Sequence, residues 1–291
     1  MDGRAEQDSP PPVQEKLIVD PLEYHKVATL IRDFFATKGF IEVHTQNRLS
    51  ILSACEDPET IQTYQYMGQT WPLPQTGQMW LEYELLKNNG PPGFFCASTS
   101  YRNEPNPVKG RHDLIFPMFE FEMKGNLDAL ISFEKELLQH LGYGPSDSFS
   151  SITYDGAARR YGVSKLSYAD EARLCEELGP VVFLTESPEH TAPFWNVKRA
   201  QESGLAFTCD IILDGQETIS SAERSCDPSR MRFDFYMINN GKYFDMIHRH
   251  FGKKRISAEL HEFLRNDFVV RSGGGIGVTR LIKSMRKRGL L

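Results

Sequence analysis

Residues 118–125, MFEFEMKG, alternate apolar and acidic side chains. Alternation is the period of a β-strand, so this run predicts a strand with one buried face and an opposite face carrying Glu120 and Glu122. Further strand-like runs stand at FIEVHT, TWPLP, GFFCASTSYR, VVFLTE, PFWNVKR and GLAFTCDIIL, separated by unequal lengths of chain. Helical spacing enters irregularly between them. Val27, Leu30, Ile31, Phe34 and Phe35 share a helix face closed by Gly39, and LDALISFEKELLQHLG is amphipathic. With neither strand–helix alternation nor an internal repeat, the pattern predicts an α+β fold, a largely antiparallel sheet flanked by helices. PSDSFSS is a candidate hinge, and residues 154–178 read as a helical insertion within one domain over 17–291.

Composition narrows the function classes. The chain has 291 residues, 40% of them hydrophobic and 25% charged, as expected of a soluble globular protein. Apolar runs such as GPVVFLT are too short to span a bilayer, so no membrane is expected. Residues 1–16 are polar and proline-rich, and read as a disordered leader rather than a signal peptide. Five cysteines (Cys55, Cys96, Cys175, Cys209 and Cys226) lie scattered without a Cys-x-x-Cys pair. Neither a zinc ribbon nor a disulfide framework is indicated, and a cytoplasmic setting is the simplest expectation. The net charge of −6 weighs against a chain whose main task is to hold a polyanion.

Three stretches place polar groups where a core strand would not want them. In YRNEPNPVKGRHDLIFPMFEFE, Arg102 and Glu104 lie two apart, so both face one side; a basic loop and Phe116 follow. Arginine can grip a carboxylate or phosphate with two parallel hydrogen bonds, and an aromatic face can stack on a base. The same stretch also reads as a surface hairpin with ordinary ion pairs. In DIILDGQETISSAER, Asp210 and Glu217 flank a turn at Asp214-Gly215, with Ser220 and Arg224 beyond it. Paired acids of this kind suit a hard divalent cation, or else a solvated hairpin. The third, RSGGGIGVTR at 271–280, reads as a glycine-rich loop whose glycines admit a ligand close to the backbone, with Arg280 opening the last helix. It has neither dinucleotide-binding nor Walker spacing.

In this order, the three stretches resemble the class II aminoacyl-tRNA synthetases, the aspartyl/asparaginyl branch and the related asparagine synthetase A, over roughly residues 17–291. The resemblance implies ATP as substrate and Mg2+ as cofactor. Arg102 would hold the α-phosphate and the substrate carboxylate, Glu104 would read the adenine amine, His112 would meet the distal phosphates and Phe116 would stack on adenine. Gly275, Gly277 and Arg280 would line the triphosphate, and Asp210, Glu217 and Ser220 would hold magnesium. A first motif, GFIEVHTQNRL, implies a homodimer, with Gln46 where the family has proline; Ile115 and Thr279 replace family acids.

For the amino acid, the resemblance implies that Glu59 takes the ammonium, with Gln75 and Gln78 beside it, and that Arg224 meets the side-chain oxygen. Leu81-Glu82 is similar to the asparaginyl enzymes, where a glutamate accepts from an amide nitrogen; Met118 makes the pocket more apolar. An aspartate- or asparagine-like substrate follows. Full-length relatives carry an N-terminal anticodon-binding barrel, for which this chain has no room, so the expected acceptor is ammonia or another small nucleophile rather than tRNA. A tRNA-directed enzyme and a catalytically silent binding protein are the competing readings.

Overall fold

A computed structural model describes residues 19–54 and 56–291; the leader and Cys55 lie outside the described residues, as does the side chain of Gln46. Helix α1 (Pro21–Thr37) starts where the Asp20 carboxylate accepts from the Leu22 and Glu23 amides. Its apolar face, Val27, Ile31, Phe34 and Phe35, is buried as its spacing requires. The strands that follow are β1 (Ile41–Glu42), the hairpin β2 (Thr63–Tyr66) and β3 (Gln69–Pro72), β4 (Gly93–Tyr101), β5 (Ile115–Lys124), β6 (Ser150–Thr153), β7 (Val181–Ser187), β8 (Ala206–Leu213), β9 (Gln216–Glu223) and β10 (Arg271–Gly277). All but β2 and β3 form one sheet in the order β1-β4-β5-β10-β9-β8-β7-β6. Only its two edge pairings, β1 with β4 and β6 with β7, are parallel. The sheet is therefore mixed and largely antiparallel, flanked by helices.

Helices α1, α3 (Leu127–His140) and α9 (Val278–Lys287) cover one face through Phe35, Phe119, Phe121, Phe133, Ile219, Ile276 and Leu281. Helix α2 (Gln78–Lys87) lies against β4 and β5. A second apolar cluster joins it to α6 (Pro228–Met237), α7 (Lys242–Phe251) and α8 (Lys253–Phe263) around Trp195. The expected insertion forms α4 (Tyr154–Tyr161) and α5 (Tyr168–Leu178), which pack Ala157 and Leu174 against Val182, Leu184 and Ile212. Among the described residues no helix is long and apolar enough to cross a membrane.

Several expectations need correction. Glu120 and Glu122 do not face solvent: both are fully buried. The alternation on β5 separates two interiors, because α2 covers the acidic face. The Glu120 carboxylate accepts from Thr76 Oγ1, the Gly77 amide and Ser98 Oγ, while Glu122 pairs with Arg224. The triple glycine is not a loop either. Residues 271–277 form β10, hydrogen-bonded on both sides to β5 and β9. A methyl at Gly273 would enter the Glu122 carboxylate, at Gly274 the Ser221 side chain, and at Gly275 the end of Met118. Glycine is needed there for its missing side chain rather than for an unusual backbone angle. PSDSFSS holds a 3-10 turn leading into edge strand β6, and PFWNVKR contributes only isolated bridges at Val197 and Arg199.

Candidate active site

A cleft of about 460 Å3 lies on the face of the sheet opposite α1, α3 and α9. It brings together residues from all three polar stretches: Arg102, Glu104, His112 and Phe116; Asp210, Glu217, Ser220 and Arg224; Gly275, Gly277 and Arg280. The antiparallel pairing explains the convergence, since β10 lies between β5 and β9 and each strand shows alternate residues to the cleft. One of these positions depends on a β-bulge. Ile211 pairs with Ile219, but Ile212 pairs with Glu217, so Thr218 is an extra residue. Asp210 and Ser220 stand opposite each other on the cleft face. The bulge turns Glu217 onto that same face, away from the core side that takes Ile219.

At this end the charged groups retain unused capacity. Arg102 pairs with Glu56, and its guanidinium carbon lies 5.8 Å from the Phe116 ring centre, yet its buried Nε has no hydrogen-bond partner among the described residues. Arg111 Nε and His112 Nδ1 are likewise buried without partners. Arg280 donates to the Glu217 carbonyl at 2.7 Å and to the Arg111 carbonyl at 3.3 Å, tying the β9 bulge to the loop between β4 and β5. Ser220 Oγ donates to Asp210 at 2.7 Å. Burial, and then the charge of Glu217, push the Asp210 carboxyl up to about 8. Asp210, Glu217 and Ser220 together offer an oxygen donor set that suits a hard ion.

The other end is closed by buried ion pairs. Arg224 lines the cleft, but its Nε and Nη2 are committed to Glu122 at 3.1 Å each and its Nη2 also to Gln78 Oε1 at 2.8 Å. Burial pushes Glu122 up to about 7, against the pull of Arg224. Glu82, expected in this pocket, lies beneath it and is fully buried. Arg271 Nη2 bonds one of its oxygens at 2.5 Å and Asn196 Nδ2 the other at 2.7 Å. A buried carboxylate needs such a counter-charge, and the arginine that opens β10 supplies it. Leu81 packs into a small core with Leu85, Phe94 and Cys96.

Two further expected residues lie elsewhere. Glu59 is exposed, on a 3-10 turn at Pro58–Thr60, beside an adjoining chamber of about 570 Å3. Gln75 is fully buried and braces that turn, accepting from the Asp57 amide and donating to the Asp57 carbonyl and Thr60 Oγ1. From this segment Glu56 and Asp57 line the cleft, and Glu56 pairs with Arg102. The sequence reading missed Glu56, along with Arg111, Tyr168 and Glu171. A basic loop opposite an acidic turn was the available signal for Glu56; nothing local signalled the others.

The family model described as tRNA synthetases class II (D, K and N) matches residues 17–288. An aspartate–tRNA(Asp/Asn) ligase of Methanococcus maripaludis is 25% identical over 219 residues, which cover 67% of this chain and 49% of that protein. An aspartate–tRNA(Asp) ligase of Thermoplasma volcanium is 22% identical over 282 residues, 86% of this chain and 61% of that one. The chain thus spans about half to three fifths of the length of these relatives. Among solved structures, asparaginyl-tRNA synthetase from Pyrococcus horikoshii complexed with asparaginyl-adenylate shares the fold, with a TM-score of 0.73 at 20% identity, over 91% of this chain and 64% of that one. By the match over 17–288, and with the three polar stretches gathered in one cleft, this chain belongs to the class II tRNA synthetases of the D, K and N group.

Proposed function

We propose that the cleft activates the carboxylate of a small amino acid of the aspartate/asparagine type with ATP, forming an aminoacyl-adenylate and releasing pyrophosphate. The observation that carries this reading is the convergence of three separate stretches on one cavity that presents cations and unpartnered donors to an anion. A carboxylate oxygen bonds to the α-phosphorus as the bond to the pyrophosphate oxygen breaks. Arg102 and Arg280 stabilise the charge that develops, and Arg111 and His112 hold the distal phosphates. Phe116 and Glu104 take the adenine, which stacks on the ring and donates its amine to the carboxylate. Glu56, already against Arg102, receives the substrate ammonium when the substrate carboxylate takes the guanidinium. No general base is needed, because the attacking carboxylate is already ionised.

Asp210, Glu217 and Ser220 fit a phosphate-borne magnesium ion. Among the described residues there is no cluster of three or more His, Cys, Asp or Glu side chains that could hold a metal alone. Two carboxylates and a hydroxyl match an ion that keeps water and phosphate ligands. When bound, magnesium would neutralise phosphate charge and offset the burial and the Glu217 charge that raise the Asp210 carboxyl.

For the side chain, Arg224 favours a neutral amide over a carboxylate, since Glu122 already balances its charge. The acceptor in this reading is ammonia or another small nucleophile, as in asparagine synthetase A; the net charge of −6 gives little purchase to a polyanion. The names of the relatives favour the alternative of tRNA. Pyrophosphate exchange across the twenty amino acids, followed by product analysis with ammonia and with total tRNA, separates these outcomes. Exchange with asparagine or a close analogue supports the reading, silence with every amino acid rejects it, and acyl transfer to tRNA alone replaces the acceptor.

A further inference from the structure

The inserted helices touch the candidate site through the start of α5. Tyr168 and Glu171, in the first turn of α5, reach the loop between β4 and β5. The Arg111 guanidinium carbon lies 3.7 Å from the centre of the Tyr168 ring, and the same arginine pairs with Glu171. The Tyr168 hydroxyl shares a hydrogen bond with His112 Nε2 at 3.0 Å, the two rings meeting edge to face. Glu171 also accepts from the Glu217 amide at 3.2 Å, so it joins the loop to the acidic bulge of β9. From the other flank, Arg280 and Lys283 of α9 donate to the Arg111 and Gly110 carbonyls.

The loop runs over the surface, its turn closed by the Arg111 and His112 amides donating to the Val108 carbonyl. Residues 105–110 are exposed, and Gly110 turns the chain at φ +80. Its two inward side chains, Arg111 and His112, are fixed by groups on α5, and each keeps one buried nitrogen, Nε and Nδ1, without a partner beside the cleft. A cation held over an aromatic face and against a carboxylate has lost its freedom before any ligand arrives.

We propose that Tyr168 and Glu171 are positioning residues for the nucleotide: they preset Arg111 and His112 so that the free nitrogen of each meets the phosphates. The inference rests on the nucleotide reading of the cleft. Neither residue touches the reacting atoms in this scheme, so their loss should act on ATP and not on the amino acid.

Tyr168→Phe removes only the hydroxyl and Glu171→Gln is isosteric, so both should fold. Hydrogen exchange of the amides of residues 108–113 in the free protein and ATP titration are read for each, together with the KM for ATP and for the amino acid. The expected result is faster loop exchange and an ATP affinity weaker by roughly three- to tenfold, with the amino-acid KM unchanged. Unchanged loop exchange overturns the proposal, as does faster loop exchange with unaltered ATP affinity, or an equal rise in both KM values. If the wild-type protein binds no ATP, the nucleotide reading falls and takes this inference with it; loss in the variants alone sinks neither.

Discussion

The two ends of the cleft use arginine in opposite ways. At the end we propose for the phosphates Arg102, Arg111 and Arg280 are partly exposed; Arg102 and Arg111 keep Nε atoms unpartnered among the described residues, and Arg280 grips two carbonyls. At the side-chain end Arg224 is 4% exposed and Arg271 not at all, with Glu122 and Glu82 as their carboxylate partners. A cation with spare donors is poised to meet a ligand; one already matched and desolvated fixes the shape around it. Removing the first kind should cost catalysis, and removing the second should cost the fold.

The hardest test of that contrast is Arg271→Ala, which strands Glu82 as an unpaired buried charge. We expect a stability loss of about 3–5 kcal/mol in urea denaturation. Replacing Glu82 and Arg271 together by Leu and Met should recover most of it, because the stranded charge is then gone. A stable Arg271→Ala protein would break the comparison.

Arg102→Ala and Arg280→Ala sharpen it from the other side. Each should lower amino-acid-dependent pyrophosphate exchange by roughly a hundredfold to a thousandfold, about 2.7–4 kcal/mol of barrier, with a far smaller change in denaturation midpoint. Exchange near the wild-type rate in either variant would remove that arginine from the phosphate site.

A third kind of charge gives the smallest effect. Glu134 on α3 is fully buried. Burial pushes its carboxyl up to about 8; Ser221 and Cys209 beside it oppose this, and Asp210 adds to it. The folded state therefore holds a proton that the unfolded chain releases near pH 4.5, and stability falls as pH rises from there to about 8. One such group contributes at most about 1.4 kcal/mol per pH unit. Glu134→Gln should flatten the slope without abolishing it, since Asp210, Glu120 and Glu122 are raised as well. Equal slopes in denaturation series at pH 5, 6.5 and 8 would show that Glu134 is not the source.

What was legible in the sequence follows the range of the interaction concerned. The α1 period and the Asp214-Gly215 turn are local, and both stand in the structure, the turn with φ of 51 and 92 at its two residues. Arg102, Glu104, His112 and Phe116 belong to one pair of antiparallel strands and its loop, so their spacing survived folding as a cluster. Glycines signal turns when read locally, and only the bulk of Glu122, Ser221 and Met118 on neighbouring strands explains why a paired strand takes glycine at 273, 274 and 275. The Glu82–Arg271 pair spans 189 residues. No spacing rule reaches that far, and so Glu82 was placed by family pattern in a pocket that its partner keeps it out of.

The bulge at Thr218 gives the β8–β9 hairpin a parity. Because side chains alternate by residue, losing the extra position between Glu217 and Ser220 moves Glu217 to the opposite surface in a single step, with no intermediate displacement. Length variation at Asp214-Gly215 is absorbed by the turn, whereas at Thr218 it is all-or-none. In this hairpin the spacing of Glu217 from Ser220 decides whether its carboxylate shares the cleft with Asp210.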